Sequence, residues 1–348
     1  MRNVLIVDEE DMEFICNTLQ DQQIIFHPSI APNGKIDYRK FFATKRTKRF
    51  TIFLDRNILI SLLKFCEKGS LKNKAESQII GLLMAWADLN TIPISAGLAV
   101  RERAAHLHSE EYGLIELQKF LDIFDFYPSQ MWLGVAEGKI TEIPPINFSL
   151  TPASNITVDY SDGGDHYDMA VASLLHAVQL YRDKTMKPVD KIIAFFDWMC
   201  EYLLISEYLL VYVVMLFTDQ ENIKAPKNSN SDDFEKVFAG CENQAWDITY
   251  LTNWSTLYSD AEKCDTEYLF ATNDILLKRI FINMHAPHGL NRVLYCSLSQ
   301  KDYDKVCNHI QEKMSIRIKP DFGDDPQAYF QKIISMEKEA LALLLDKK

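Results

Sequence analysis

RFTIFLDRNILISLLKF, residues Arg49 to Phe65, is the stretch on which the reading of the whole chain turns. Phe50, Ile52, Phe53 and Leu54 have the length and the β-branched or aromatic bias of a short buried strand. Ile58, Leu59, Leu62, Leu63 and Cys66 then recur at helical spacing. Asp55 stands at the junction. A carboxylate at the carboxyl end of a buried parallel strand lies where open α/β sheets place ligands and chemistry. The same position also suits an Asp that only caps the helix behind it.

The chain around this stretch has 348 residues, 47% hydrophobic and 11% aromatic, which is enough to fill a large core in one elaborated domain or two. Such a composition excludes a disordered protein. A net charge of −12 excludes a generally basic surface and leaves any contact with phosphates to a local patch. One basic run exists: Arg39, Lys40, Lys45, Arg46, Lys48 and Arg49 lead straight into the strand before Asp55. Seven cysteines form neither a C-x-x-C pair nor a zinc spacing, and no signal peptide is read, which predicts reduced thiols and a cytoplasmic location. The most apolar long segment, Ile192 to Phe217, carries Asp197, Glu201 and Glu207. It predicts a buried helix or helix pair, with no membrane partner.

Taken in order, Asn3 to Val7 predicts a strand followed by the acids Asp8, Glu9 and Glu10 and a helix through Leu19. Pro28 to Gly34 reads as a loop. Beyond Phe65 come a helix from Ala75 to Leu89, a short apolar segment from Thr91 to Ser95, and a helix from Gly97 to His106 that carries Glu102. Tyr127 to Pro152, rich in proline, reads as irregular. Residues 159–168, DYSDGGDHYD, gather four aspartates around a Gly pair; they read as a polar turn capping the next helix, or as oxygen ligands for a hard cation. After a helical block to Phe217 and a loop from Lys224 to Asp233, the α/β character returns. Cys241 to Tyr258 predicts a helix with Asp247 near its start, Tyr268 to Asp274 a strand ending in an acid, Ile275 to Ile282 a helix, Arg292 to Ser297 a strand, and Asp325 to Leu345 an amphipathic helix.

Two strand-to-helix junctions therefore end in aspartate, Asp55 and Asp274, and two helices carry acids near their starts, Glu102 and Asp247. Carboxylates gathered at one sheet edge repel one another and are costly to bury uncompensated. Mg²⁺ or Mn²⁺ held by a few carboxylates relieves that repulsion and supports displacement at phosphorus.

These residues resemble the PIN-domain ribonucleases. The resemblance rests on Asp55-Arg-Asn57 at the end of the first strand, Ile92-Pro-Ile-Ser95 ahead of the helix bearing Glu102, Asp247 in WDITYL, and Ala271-Thr272-Asn273-Asp274. It covers residues 50–105 and 240–282. It implies an α/β fold, a PIN-like parallel sheet flanked by helices with a large α-helical insertion. Residues 1–126 and 234–300 would form the discontinuous α/β domain, 127–233 the insertion and 301–348 a helical extension. It further implies a metal-dependent endonuclease, acting on RNA more than DNA, of the kind used in toxin and defence systems. Asp55, Glu102, Asp247 and Asp274 would bind one or two Mg²⁺ or Mn²⁺ ions, with Glu242 and Asp260 as alternatives to Asp247, and Asn57, Thr272 and Asn273 would support them. Lys45, Arg46, Lys48, Arg49, Lys278 and Arg279 would contact the nucleic-acid backbone. A regulatory protein partner or a second copy of the chain would be further partners.

Three other readings compete. The first is a PIN-like scaffold without catalysis whose helical insertion binds a protein, which suits the negative charge. The second is a receiver-like domain with Asp55 as phosphoacceptor beside Asp8 and Glu9 and with Ser95 as its hydroxyl; the usual lysine, Pro and Gly are missing. The third rests on Arg101-x4-His106, which resembles the loose motif of helical HEPN ribonucleases.

Overall fold

The computed structural model describes residues 7–154, 163–260 and 265–346. It opens with α1 (Glu9–Gln22), whose cap Asp8 exchanges hydrogen bonds with Asp11 in a capping box. There follow β1 (Ile25–Phe26), α2 (Tyr38–Lys45), β2 (Arg49–Leu54), α3 (Arg56–Lys68), α4 (Lys74–Leu89), β3 (Ile94–Ser95), α5 (Gly97–His106), α6 (Glu110–Phe126) and α7 (Ser129–Ala136). The chain continues through α8 (Asp165–Arg182), α9 (Pro188–Tyr202), α10 (Glu207–Phe217) and α11 (Phe234–Asp260). It ends with β4 (Thr266–Ala271), α12 (Ile275–His285), α13 (Gly289–Ser297), α14 (Gln300–Ile316) and α15 (Pro326–Asp346).

Two compact units divide these elements: residues up to 163 with 254–278, and residues 164–253 with 279–348. The first holds a four-stranded sheet in the order β1-β4-β2-β3. β2 lies parallel to β4 and to β3, and β1 pairs antiparallel with β4. The sheet is thus mixed, where a purely parallel one was expected. β1 is two residues long, too short for an alternating pattern to announce it, yet Ile24, Ile25 and Phe26 are wholly buried. In β2 burial alternates: Phe50, Ile52 and Leu54 enter the core, while Thr51 and Phe53 between them are only half-buried.

Gly81 sets how closely α4 and α7 approach, because a Cβ there would lie 2.7 Å from Ala136 N. Gly69 ends α3 at φ +75, and a Cβ there would meet Ile143 O at 2.6 Å. Larger residues would have to separate the chains at both places.

The second unit is helical throughout its described residues. α15 packs on α8, α14 on α9 and α13 on α10. A buried carboxylate ties α15 down: Glu337 accepts from Trp198 Nε1 at 2.8 Å and Gln179 Nε2 at 2.7 Å, with His176 Nδ1 at 3.1 Å. Ile192 to Phe217 forms α9 and α10, the expected buried pair, and no helix of the described residues is long and apolar enough to cross a membrane.

Two further expectations are corrected. Residues Arg292 to Ser297 are helical, in α13, not a strand. The short run Val-Leu-Tyr-Cys has strand-like residues, but Leu290, Val293 and Leu294 recur at helical spacing, and Val293 and Leu294 are buried. Asp247 lies deep inside a helix that begins at Phe234, not near its start, since Val237 and Cys241 already belong to the same apolar face. The strand read over Asn3 to Val7 lies outside the described residues except for Val7, which is in no strand; Asp159 and Asp162 of the acidic turn likewise lie outside them.

Candidate active site at the carboxyl edge of the sheet

The register of β2 and β4 decides what meets at this edge. Leu54 stands beside Ala271, and Asp55 N donates to Ala271 O at 3.0 Å. Asp55 and Thr272 are therefore the first residues past two neighbouring parallel strands. Thr272, wholly buried, donates its hydroxyl to Asp55 Oδ2 and accepts from Asp274 N at 3.0 Å. Each acid also caps the helix after it. Asp55 Oδ1 accepts from Ile58 N at 2.8 Å, while Asp274 Oδ1 accepts from Leu276 N at 2.7 Å and Leu277 N at 3.1 Å.

Capping alone would favour the ionised carboxylate, because helix amides and the helix dipole stabilise negative charge. Asp55 behaves otherwise. It is 1% exposed, and its pKa rises from an ordinary 3.8 to about 6. Burial is the main cause, the hydrogen bonds from Thr272 and Ile58 oppose it, and repulsion from Asp274 and Glu102 adds to it. Two of the other three expected acids thus lie close enough to bear on Asp55.

β3 brings in the third of them. Ile94 and Ser95 pair with Ile52 and Phe53, and α5 starts at Gly97, whose amide lies 3.5 Å from Ser95 Oγ. Glu102, on α5, is half-buried with His106 Nε2 3.7 Å away. Arg56, next to Asp55, is held by Ala99 O at 3.1 Å and by Glu116, its Nη2 2.9 Å from Oε1. Lys278 donates to Gln22 O at 3.2 Å and to Asn273 Oδ1 at 3.1 Å. Burial lowers its pKa, while Asp55 and Asp274 pull it back up.

The remaining expected residues are distributed as follows. Asn57 is exposed in the first turn of α3, and Asn273 is exposed beside Lys278. Asp247 belongs to the second unit, where Gln244 Nε2 donates to its Oδ2 at 2.7 Å. Arg279 also falls in that unit, and its carbonyl accepts from Asn283. Lys45, Arg46, Lys48 and Arg49 gather at the amino end of β2, the end away from Asp55.

The sequence did not disclose a second polar group, at the amino end of β4. Glu267 Oε1 accepts from Lys48 Nζ at 2.7 Å, and Oε2 lies 3.2 Å from Nε2 of the buried His27. His27 Nδ1 accepts from the amides of Ser29 and Ile30 at 3.3 and 3.2 Å, which leaves Nε2 as the protonated nitrogen facing Glu267. His27 and Glu267 are 240 residues apart in sequence, so no local pattern could have joined them.

Comparison of the chain with protein-family models, with curated proteins and with solved structures found no match in any of the three. What the chain does has to be argued from the site itself.

Proposed function

We propose that the protein is a metal-dependent endonuclease that hydrolyses phosphodiester bonds, in RNA more than DNA, at the edge formed by Asp55, Glu102 and Asp274. The observation that carries this reading is geometric: Asp55 and Asp274 follow two neighbouring parallel strands at one sheet edge and share Thr272, which donates its hydroxyl to Asp55 Oδ2 and accepts from Asp274 N at 3.0 Å. A carboxylate kept only as a helix cap has no use for such neighbours. The donors are all oxygen, as a hard cation requires.

Among the described residues no three His, Cys, Asp or Glu side chains already form a metal cage. Bound at this edge, Mg²⁺ or Mn²⁺ would acidify a water and neutralise charge developing on the phosphate. Asp55 anchors the constellation. Asp274 and Glu102 are half-buried, Thr272 holds its hydroxyl proton toward Asp55 Oδ2, and Lys278 sets a positive charge beside the two aspartates.

A second reading, a PIN-like scaffold, draws on the same lack of a ready-made cage and on Asp247 standing in mid-helix in the other unit. One experiment separates the two. Labelled single-stranded RNA, structured RNA and DNA are incubated with Mn²⁺, Mg²⁺ or EDTA, with wild type beside Asp55→Asn, and Mn²⁺ binding is measured by calorimetry. Metal-dependent cutting that is lost in the variant sustains the nuclease. Neither cutting nor Mn²⁺ binding by the wild type leaves the scaffold.

A further inference from the structure

The exposed side of α2 has no role in the site just described. Within a chain of net charge −12, residues 35–49 carry Lys35, Arg39, Lys40, Lys45, Arg46, Lys48 and Arg49 against the single acid Asp37. The structure separates these cations into two sets. Lys40 lies 3.7 Å from Asp37, Lys45 hydrogen-bonds Asn90, and Lys48 is held by Glu267. Lys35, Arg39, Arg46 and Arg49 are exposed, and among the described residues no carboxylate pairs with them.

An aromatic ring stands between two of these arginines. Arg39, Phe42 and Arg46 follow helical spacing along the exposed face of α2. Phe42 is 47% exposed. Its ring is steadied by Tyr38, stacked at 6.3 Å and 30°, and by the buried Phe41, edge-on at 5.2 Å. A fixed ring flanked by unpaired guanidiniums presents a π-face and phosphate-matching forks together. Single-stranded polynucleotides call for that combination, because each base has a face to stack while its backbone brings regularly spaced charge. An anionic lipid surface would take the charge but has little to insert, since one aromatic on an eight-residue helix is a small apolar face.

We propose that Arg39, Phe42, Arg46 and Arg49 form an anchoring surface for single-stranded nucleic acid, separate from the carboxylate edge. Arg49 opens β2 and Asp55 follows its end, so at about 3.3 Å per residue the two regions lie about 20 Å apart. A strand stacked as in a duplex, at about 3.4 Å per nucleotide, spans both in about six nucleotides. The surface deepens the nuclease reading, and rests on it only in calling the bound strand a substrate. Binding itself is independent of cleavage.

The test is fluorescence anisotropy of a labelled 20-mer of oligouridylate in EDTA, across a salt series. The proteins are wild type, the triple variant Arg39→Gln, Arg46→Gln, Arg49→Gln, the single variant Phe42→Ala, and the control Lys301→Gln; every substitution is at an exposed position. The triple variant is expected to bind at least ten-fold more weakly and to lose about two from the slope of log affinity against log salt, at about 0.7 per phosphate contact. Phe42→Ala should weaken binding about five-fold or more with the slope unchanged. Lys301→Gln, at an exposed position outside both surfaces, should bind as wild type does.

Unchanged affinity and slope in the triple variant would overturn the proposal. So would binding to phosphatidylserine vesicles, through the same arginines, by a protein that ignores the RNA. If wild type binds RNA through the patch but cuts nothing, the nuclease reading falls and the anchor stands. If it cuts the 20-mer and a four-mer equally well, with or without the patch, the anchor falls alone.

Discussion

The two ends of one pair of strands treat a carboxylate in opposite ways. At the amino end of β4, Glu267 meets a lysine and a histidine, and its pKa is lowered, first by the hydrogen bond with His27 and then by Lys48. At the carboxyl end of neighbouring β2, Asp55 meets burial and two further acids, and its pKa is raised. The first arrangement is what stability asks of a half-sheltered acid. The second weakens the fold, and such a cost is expected where a cation or a proton is to be handled. The contrast makes Asp55, rather than the better paired Glu267, the place to look for chemistry.

The strongest test of that contrast is activity. Asp55→Asn keeps an effective helix cap, and it is expected to lower metal-dependent cleavage by more than the ~100-fold typical of losing a supporting partner. Glu267→Ala should leave the cleavage rate per folded molecule near that of wild type. Equal losses in the two variants would dissolve the distinction.

Stability gives the next test, and its sign differs at the two ends. The folded pKa of Asp55, about 6, lies above its ordinary 3.8, so its contribution is favourable below that ordinary value and is lost as pH rises through about 6. The shift corresponds to about 3 kcal/mol of destabilisation at pH 7. Urea denaturation should therefore find Asp55→Asn more stable than wild type at pH 7 by up to about 3 kcal/mol, with the gap closing toward pH 4. Glu267, with its pKa lowered, stabilises above its ordinary carboxylate range and loses that contribution as pH falls through its folded pKa. Glu267→Ala is expected to cost about 2 kcal/mol at pH 7, because it leaves His27 Nε2 buried without its carboxylate. The smallest expected effect is that of Thr272→Val, about 1.5 kcal/mol at pH 7, from lost hydrogen bonds to Asp55 and Asp274 N. A null result there would mean that the hydroxyl does not steady the site.

Much of this edge was legible in the sequence, because it depends on local signals. An apolar run, an acid and a helical period give β2, Asp55 and α3, and the same pattern gives β4, Thr272, Asp274 and α12. Asp55 is indeed a cap, so that reading and the ligand reading are two uses of one side chain. Other parts resisted. Arg292 to Ser297 is too short a run to separate strand from helix by period, and the burial of Val293 and Leu294 on one side of α13 decided for helix. A helix read from Cys241 sets Asp247 near its start, but α11 begins well before, at Phe234.

The sequence by itself determined where acids follow strands, since strand and helix signals are carried by residues close along the chain. Only the tertiary structure decided which of those acids act on one another, because that depends on strand register: Leu54 beside Ala271 and Phe53 beside Ser95. It also decided that the basic run before Asp55 serves the far end of the sheet. Neighbours in sequence are carried about 20 Å apart by six residues of extended chain, whereas Asp55 and Thr272, 217 residues apart, share a hydrogen bond.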